Sequence, residues 1–357
     1  MRVIITAGGT GGHIVPALSV IEKIQSDKNN DVLYIGTTDR MEKDIIPSKG
    51  IKYEAIEVYG LTKDIAKDIK NLICIRKAIK RCKQIIKDFK PDVVLAFGGY
   101  VTLPVIIAAK KLHIPVALHE QNYIPGKVNK WLGNKCNVIF VSFKDNEKYF
   151  TKTKVVYSGN PCGEKAMNAK PMDKTKLGFK KDKKLIIIVM GSLGSLTVNN
   201  LIKDFLLDFN EDDKEILFIT GKNHKDAFKD LKVKDNIKIV DFVDNLSSLM
   251  KNADLLISRA GASTISELYA LNLPSILIPS PYVANNHQYY NALELQNKGI
   301  GIMIEQKALT KELLLKKVKE ILDDNEEYLN MKSRLALIPK LKASTIIYDE
   351  VKKLIGE

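Results

Sequence analysis

A glycine-rich segment near the start of the chain carries the first residues suited to chemistry. Residues 6–13 read TAGGTGGH and follow a short apolar run at 3–5. Glycines permit a tight turn, and a helix that begins after such a turn presents unpaired backbone N–H groups to an anion. His13 stands where the loop becomes the helix, so its imidazole could face the group that the loop holds. The segment predicts an anion-binding loop; the alternative is a tight turn with a helix-capping histidine.

The second half of the chain repeats this opening pattern. An apolar run at 185–190 leads into GSLGS at 191–195, and a helical pattern starts at Leu196. Because both halves begin with strand, glycine loop and helix, we predict an α/β protein with two doubly wound Rossmann-like domains. The turn Gly159-Asn160-Pro161 is the expected boundary.

Short runs rich in valine and isoleucine alternate with helical patterns from end to end. Such runs are typical of parallel strands covered by helices on both faces. We predict strands at 2–6, 31–36, 53–58, 92–97, 115–118, 138–141, 154–157, 185–190, 215–220, 237–241, 254–257 and 275–278.

Polar segments follow several of these predicted strands. HEQN occupies 119–122, SRAGAST occupies 258–264 and opens a helix that contains Glu267, and NNHQ occupies 285–288. Ligands of open α/β sheets bind beyond the carboxyl ends of the strands, so we expect these side chains at the edge of a cleft between the domains. Glu267 could accept both hydroxyls of a ribose, or simply be a carboxylate well placed near a helix start.

Several patterns that are absent from the sequence narrow the chemistry. No two aspartates stand at i and i+2, so no DxD motif holds a nucleotide-bound metal, and no GxxxxGK[ST] cradle occurs. We therefore expect no metal ion and no cofactor, with a diphosphate held by helix N-termini. The four cysteines lack zinc spacing and are expected to be reduced thiols of a cytoplasmic protein, and the immediate first strand argues against a signal peptide.

The positive charge of the chain is unevenly distributed. The formal net charge is +14, and residues 1–163 carry 26 Lys+Arg against 15 Asp+Glu. An acidic partner of the first half would be nucleic acid, an anionic membrane surface or a phosphorylated substrate, although lysine richness can also be background composition.

Residues 61–90 concentrate this charge, with ten Lys+Arg against three Asp. A basic amphipathic helix can lie on an anionic bilayer; the alternative is a surface helix whose apolar stripe packs on the core. Nucleic acid is disfavoured because aromatic residues for stacking are nearly missing from the segment. The predicted membrane-docking residues are Leu72, Ile73, Ile75, Arg76, Ile79, Lys80 and Lys83.

Seven motifs together resemble one known family. They are TAGGTGGH at 6–13, FGGYVTLP at 97–104, HEQN at 119–122, GNP at 159–161, GSLGS at 191–195, RAGASTISE at 259–267 and NNHQYYNA at 285–292. In this order and spacing, over nearly the whole chain, they resemble the MurG family. These are glycosyltransferases of family 28 that convert lipid I to lipid II in bacterial peptidoglycan synthesis.

The resemblance implies a GT-B fold of two Rossmann-like domains. Residues 1–162 would form the acceptor and membrane-docking domain, with a C-terminal helix at 340–357 packing back on it, and 163–339 would bind UDP-GlcNAc. The acceptor would be undecaprenyl-diphosphate-MurNAc-pentapeptide, and the protein would be peripheral on the anionic cytoplasmic face of the bacterial cell membrane. Proteins of cell-wall synthesis are further partners that the resemblance leaves open.

The resemblance also implies the residues of the UDP-GlcNAc site. Glu267 would hold the ribose, Ser192 the diphosphate, backbone near Val243 the uracil, and Gln288 the sugar. The remaining members of this set are Thr10, Gly11, Gly12, Asn122, Ala262, Ser263 and Thr264. The family usually has an arginine two residues after GNP, where this chain has Cys162 and Gly163, and Lys165 is the expected substitute.

The family reaction is an inverting displacement by the MurNAc 4-hydroxyl, which needs a base. His13 is the first candidate for that base and Glu120 the second. Three alternatives remain from the sequence: a transferase with another acceptor, a UDP-GlcNAc epimerase, and a sensor that binds the nucleotide sugar without turnover.

Overall fold

The computed structural model describes residues 1–60, 65–191, 194–221 and 226–357. It divides into two compact units. The first contains Met1–Cys162 and Leu341–Glu357, and the second contains Gly163–Lys340.

The described part of the first unit contains a seven-stranded parallel sheet. Its strands are β1 (Arg2–Ala7), β2 (Asp31–Thr37), β3 (Lys52–Ile56), β4 (Val93–Gly98), β5 (Val116–Glu120), β6 (Val138–Val141) and β7 (Lys154–Tyr157). Their order is β3-β2-β1-β4-β5-β6-β7. The order reverses direction between β1 and β4, which places the carboxyl end of β1 at the switch point where open α/β sheets bind ligands.

Helices cover both faces of this sheet. They are α1 (Gly11–Gln25), α2 (Glu42–Ser48), α3 (Ile65–Phe89), α4 (Thr102–Lys111) and α5 (Lys127–Gly133). Successive strand residues point to opposite faces. Accordingly Ile4 packs in a cluster with side chains of α3 and α4, while Val3 and Ile5 pack in a second cluster with α1.

The second unit contains a six-stranded parallel sheet in its described part. After α6 (Pro161–Asn168), which crosses the boundary, its strands are β8 (Lys184–Val189), β9 (Lys214–Ile219), β10 (Ile237–Val240), β11 (Leu255–Ser258), β12 (Ser275–Leu277) and β13 (Ile302–Met303). The order is β10-β9-β8-β11-β12-β13. Its helices are α7 (Leu196–Asp208), α8 (Leu246–Met250), α9 (Ala262–Leu271), α10 (His287–Asn297), α11 (Lys311–Leu322) and α12 (Asn325–Ala336).

The last helix of the chain belongs to the first unit. In α13 (Ala343–Ile355), Ile347 and Val351 are buried in the cluster that also contains α1 side chains. The Asn30 Nδ2 donates to the Tyr348 hydroxyl at 3.3 Å, and Lys154 pairs with Glu350 at 2.5 Å. No helix in the described ranges is long and apolar enough to cross a membrane.

The predicted fold class is confirmed. Every predicted strand occurs within about two residues of its expected position, as is usual for boundaries derived from sequence. Two details differ. The two-residue strand β13 was not predicted because it is too short to show a pattern, and His119 and Glu120 lie inside β5, not after it.

Candidate functional site

The first glycine loop joins β1 to α1 and leaves the start of that helix open. Thr10 is the N-cap residue, and no side chain of the described residues caps the helix. The N–H groups of His13 and Ile14 bond to the Thr10 carbonyl at 3.1 and 3.2 Å. Gly11 and Gly12 begin the helix, where backbone N–H groups have no partner within the helix. This opening suits an anionic or strongly polar group of a ligand.

The imidazole of His13 is held by the same loop. Its Nδ1 lies 3.0 Å from the carbonyl oxygen of Gly8. A carbonyl only accepts, so Nδ1 carries the hydrogen, and Nε2 of the neutral ring has the lone pair that can take a proton. A Cβ on Gly98 would lie 3.2 Å from both the ring of His13 and the amide of Asn129. The fold therefore brings His13 and Asn129 to the same small space.

Glu120 ends β5 and is 1% exposed. Its Oε1 accepts from the backbone N–H of Asn122 at 2.9 Å, and its Oε2 accepts from the backbone N–H of Gly126 at 3.1 Å and the Asn129 amide at 2.9 Å. Burial raises the pKa of Glu120, while these hydrogen bonds act in the opposite direction. The carboxylate thus orders the turn after β5 and orients Asn129, which favours a positioning role over the predicted role of second base.

His119 and Gln121 were expected to reach the edge of a cleft, but their side chains turn inward. Both are buried; the His119 Nε2–H donates to the Gly159 carbonyl at 3.0 Å, and the Gln121 amide donates to His119 Nδ1 at 3.0 Å and the Phe97 carbonyl at 2.8 Å. Burial lowers the pKa of His119 to about 4, so the ring stays neutral. The prediction is wrong for these two residues, whose role is to join the ends of neighbouring strands.

The apolar residues of the predicted docking helix α3 divide between core and solvent. Leu72 and Ile73 are 55% and 49% exposed. Ile75 and Ile79 are partly buried and pack against the sheet cluster that includes α4. Part of the apolar stripe thus packs on the core, as in the surface-helix alternative, and the exposed apolar surface among its described side chains is centred on Leu72 and Ile73. Docking on a membrane stays a prediction.

Basic side chains flank that surface. Arg76 and Lys80 are exposed and Lys83 is half-buried. Arg81 is paired with Glu54 of β3 at 2.8 Å, so its charge is partly compensated. The exposed side of α3 therefore carries positive charge.

Aromatic side chains lie close to the segment that contacts Asn71 of α3. The Asn71 amide donates to the Gly60 carbonyl at 2.9 Å, and a Cβ on Gly60 would be 2.6 Å from the ring of Tyr100. Tyr59 and Tyr100 are 40% and 45% exposed. Tyrosine is suited to a membrane–water interface because its ring is apolar and its hydroxyl polar.

In the second unit, α9 presents a further open helix start. Gly261 is its N-cap residue, and within the described ranges no side chain caps the helix. The Ser263 hydroxyl oxygen is buried and has no hydrogen-bond partner among the described residues. Backbone N–H groups at Ala262, Ser263 and Thr264 together with this hydroxyl form a site suited to phosphate oxygens.

Glu267 lies one turn into α9 and is half-buried. Its Oε1 accepts from the hydroxyl of Ser247 at 3.0 Å. Ser247 is on α8, which follows the loop that contains Val243, so this hydrogen bond joins α9 to the helix after that loop. Burial raises the pKa of Glu267 to about 7, and the Ser247 hydrogen bond lowers it only in part.

Arg259 follows β11 and reaches the second glycine loop. Its Nη2 donates to the hydroxyl of Ser195 and to Oε1 of Gln306, both at 2.8 Å, and its Nη1 donates to the Ile278 carbonyl at 3.0 Å. Ser195 is the N-cap residue of α7. A fixed guanidinium thus stands beside a helix start, an arrangement that suits a diphosphate.

The remaining residues predicted to contact UDP-GlcNAc lie on different elements. Ser192 lies outside the described residues. Gln288 is in the first turn of α10, where its Oε1 accepts from the Ser280 N–H at 2.9 Å, and Val243 is half-buried before α8. Lys165 is exposed on α6.

Three residues that contact the glycine loops or Glu120 had no role predicted from the sequence. Arg259 was quoted within a motif, whereas Asn129 and Glu42 belonged to none. Glu42 is fully buried and accepts from the backbone N–H of Gly9 at 3.2 Å. A charged residue at the start of a short helix is most often solvated, so no local pattern distinguishes a buried one.

Comparison with known proteins identifies the family. Residues 3–141 match the glycosyltransferase family 28 N-terminal domain, and residues 185–346 match the C-terminal domain of that family. The crystal structure of Acinetobacter baumannii MurG has a TM-score of 0.81 to this chain at 26% identity, covering 99% of each.

Two curated relatives carry the name UDP-N-acetylglucosamine–N-acetylmuramyl-(pentapeptide) pyrophosphoryl-undecaprenol N-acetylglucosamine transferase. The protein of Halalkalibacterium halodurans is 38% identical over 329 residues, which cover 90% of this chain and 91% of that protein. A Bacillus cereus protein is 38% identical over 362 residues, covering 99% of this chain and 100% of its own length. The chain therefore belongs to the MurG family of glycosyltransferases, family 28.

Proposed function

We propose that this protein transfers GlcNAc from UDP-GlcNAc to the MurNAc 4-hydroxyl of lipid I, undecaprenyl-diphosphate-MurNAc-pentapeptide, and so forms lipid II. Membership of the family supports this activity. The observation that carries the assignment to particular residues is the hydrogen bond between His13 Nδ1–H and the Gly8 carbonyl, because it leaves Nε2 as the proton acceptor.

The proposed reaction is an inverting displacement. The 4-hydroxyl oxygen bonds to the anomeric carbon as the bond from that carbon to the β-phosphate oxygen breaks, and the electron pair leaves with UDP. The hydroxyl proton passes to Nε2 of His13. General-base catalysis of this kind contributes about 10² to 10⁴ in rate.

The charge of the departing diphosphate is received in the second unit. The open start of α9 offers backbone N–H groups, and Arg259 holds its guanidinium next to the N-cap residue of α7. Fixed donors of this kind stabilise developing charge without reorganisation. Glu267 would accept the ribose hydroxyls, with Ser247 holding the carboxylate in place.

We further propose that the first unit docks peripherally on the anionic cytoplasmic face of the cell membrane. Leu72, Ile73, Tyr59 and Tyr100 supply exposed apolar and aromatic surface, and Arg76 and Lys80 supply exposed charge. An acceptor anchored in the bilayer by a long lipid requires the enzyme to work at that surface. Proteins of cell-wall synthesis that act at the same membrane surface are proposed partners.

The direct test is UDP release from UDP-GlcNAc with and without a lipid I analogue. We expect release to depend on the acceptor and the product to contain a β-1,4 linkage. Tight binding of UDP-GlcNAc without acceptor-dependent release would contradict the proposal and favour a sensor. UDP release that proceeds with another acceptor but not with the lipid I analogue would point to a different transferase.

A further inference from the structure

Glu42 is the buried carboxylate nearest to the first glycine loop, and the reaction proposed above does not use it. It begins α2 and its side chain is 0% exposed. Its Oε1 accepts from the backbone N–H and the hydroxyl of Thr37 at 3.2 and 2.8 Å, and its Oε2 accepts from the Gly9 N–H at 3.2 Å. Both oxygens of this buried carboxylate therefore act as hydrogen-bond acceptors.

The backbone around Gly8 leaves no space for another arrangement. A Cβ on Gly8 would lie 2.5 Å from Oε1 of Glu42, and a Cβ on Gly99 would lie 2.5 Å from the Gly8 carbonyl oxygen. The Gly8 N–H donates to the Gly98 carbonyl at 3.2 Å. The loop is therefore held on one side by Glu42 and on the other by the turn after β4.

Two tyrosines, the buried Tyr34 and the half-buried Tyr53, brace the backbone on either side of this contact. The Tyr34 hydroxyl donates to the Ala7 carbonyl at 2.8 Å, and the Tyr53 hydroxyl donates to the Thr37 carbonyl at 2.6 Å. Burial raises the pKa of both tyrosines, and the charge of Glu42 raises it further, so both remain donors.

The contacts of Glu42 and His13 meet on one peptide group. The N–H that donates to Glu42 is that of Gly9, and the carbonyl that accepts from His13 Nδ1 is that of Gly8. These two atoms belong to the same planar peptide unit, in which they point in opposite directions. An acceptor fixed on the N–H side therefore fixes where the carbonyl points.

We propose that Glu42 is a positioning residue for His13 and acts through the Gly8–Gly9 peptide. The carboxylate holds the carbonyl toward Nδ1, which selects the tautomer with Nε2 free of hydrogen. It also polarises the peptide, and a hydrogen-bond chain of this kind strengthens its last member, here the bond that must support the imidazolium when Nε2 takes a proton.

Glycine is the reason that such a brace is needed. Gly9 has a φ of +86°, and a peptide next to a glycine can rotate with little steric cost. A rotated peptide would present an N–H to Nδ1 and would hold the opposite tautomer, which cannot accept a proton at Nε2.

The first test reads the tautomer directly and needs no substrate. With ¹⁵N-labelled histidine, the imidazole nitrogen shifts of His13 report which nitrogen carries the hydrogen, and His13→Ala identifies its signals among the five histidines. We expect the Nδ1–H form in the wild type and a mixture or the Nε2–H form in Glu42→Gln. A wild-type ring in the Nε2–H form would overturn the inference, as would an Nδ1–H form that Glu42→Gln leaves unchanged.

The second test is turnover, and this part rests on the proposed function. Glu42→Gln keeps the size of the side chain but loses its charge and one acceptor, so we expect kcat with the lipid I analogue to fall about 10- to 100-fold, with KM for UDP-GlcNAc nearly unchanged. The matched control is Glu215→Gln. Glu215 is a buried carboxylate of the second unit whose two oxygens accept from the Lys180 N–H at 3.0 and 2.9 Å, and kcat should stay within about threefold.

The outcomes separate the two proposals. A wild-type protein without acceptor-dependent UDP release contradicts the proposed function, and the tautomer measurement still tests Glu42. An active wild type with a Glu42→Gln variant that is folded, unchanged in kcat and still in the Nδ1–H form contradicts the role of Glu42 alone. If Glu42→Gln does not fold, Gly8→Ala displaces the same carboxylate from the other side and should shift the tautomer in the same direction.

Discussion

The two units share the design of strand, glycine loop and helix, but the side chains that hold the two loops differ in charge. The first loop is held by the carboxylate of Glu42, and Glu120 orders the neighbouring turn. The second loop is held by the guanidinium of Arg259, which bonds to Ser195. Nearby carboxylates favour a positively charged imidazole, whereas a guanidinium favours a bound anion.

This difference shows that a glycine loop alone does not identify its ligand. Backbone N–H groups at a helix start attract negative charge in both units. The charged side chain that holds each loop distinguishes the two proposed roles, which are uptake of a proton in the first unit and binding of the diphosphate in the second.

The largest effect is expected for His13→Ala. Loss of the base should lower acceptor-dependent UDP release by about 10² or more, since that is the usual contribution of a general base. The measurement is single-turnover transfer to a lipid I analogue. His113→Asn is the control, because His113 lies at an exposed turn with a φ of +59°, which asparagine tolerates. Wild-type turnover in His13→Ala would contradict the proposed role of His13, and with it the role of the first loop, in proton transfer.

Arg259→Met should weaken UDP binding by about 10- to 100-fold, because a hydrogen bond to a charged group contributes about 1.5–3 kcal/mol. Calorimetric titration with UDP measures this directly. Arg334→Met is the matched control in the same unit: Arg334 also donates to a backbone carbonyl, that of Gly299, at 3.2 Å. Equal loss of affinity in both variants would mean that Arg259 acts only through the stability of the unit.

Replacement of Leu72 and Ile73 together by serine should lower affinity for anionic lipid vesicles by about tenfold, because apolar area that enters the bilayer stabilises binding. Cosedimentation with vesicles is the measurement. Leu337→Ser is the control, since Leu337 is 83% exposed but lies in the second unit. Transfer to a water-soluble acceptor should be unaffected in all variants, and equal vesicle binding by all of them would contradict docking through α3.

A smaller effect is expected from pH at Glu267. Its pKa is raised to about 7, so the carboxylate that would accept the ribose hydroxyls becomes ionised as the pH rises through neutrality. UDP should therefore bind up to about tenfold more tightly at pH 8 than at pH 6, because the ionised fraction of the carboxyl group rises from about 0.1 to about 0.9. Glu267→Gln should bind UDP weakly with little of this dependence; a wild-type profile identical to that of the variant would exclude Glu267 from the nucleoside contact.

The raised pKa of Glu267 also affects protein stability, which should fall as the pH rises, whereas UDP binding should tighten. Because the folded protein retains a proton on Glu267 that the unfolded chain releases, the stability of the unliganded protein should decrease as the pH rises from 4.5 to about 7. Unfolding in urea at pH 5 and pH 8 measures this. The decrease should be smaller in Glu267→Gln.

The sequence was sufficient for the fold because most of its strands are short, continuous apolar runs whose pattern needs no tertiary information. It also placed His13 and Glu267 correctly at a loop and a helix start. It did not predict the inward bonding of His119 and Gln121, since a polar residue at a strand end has the same pattern whether it points to solvent or to a neighbouring carbonyl. Glu42 was missed for a related reason: its partner Gly9 is 33 residues away in the chain.

The division between the two loops is tested most directly by the dissociation constant of UDP for His13→Ala and Arg259→Met, measured by calorimetry under one set of conditions. We predict that His13→Ala binds UDP within about twofold of the wild type while Arg259→Met is weaker by about tenfold or more. A His13→Ala variant that loses UDP affinity as strongly as Arg259→Met would contradict the division, because the first loop would then be part of the diphosphate site.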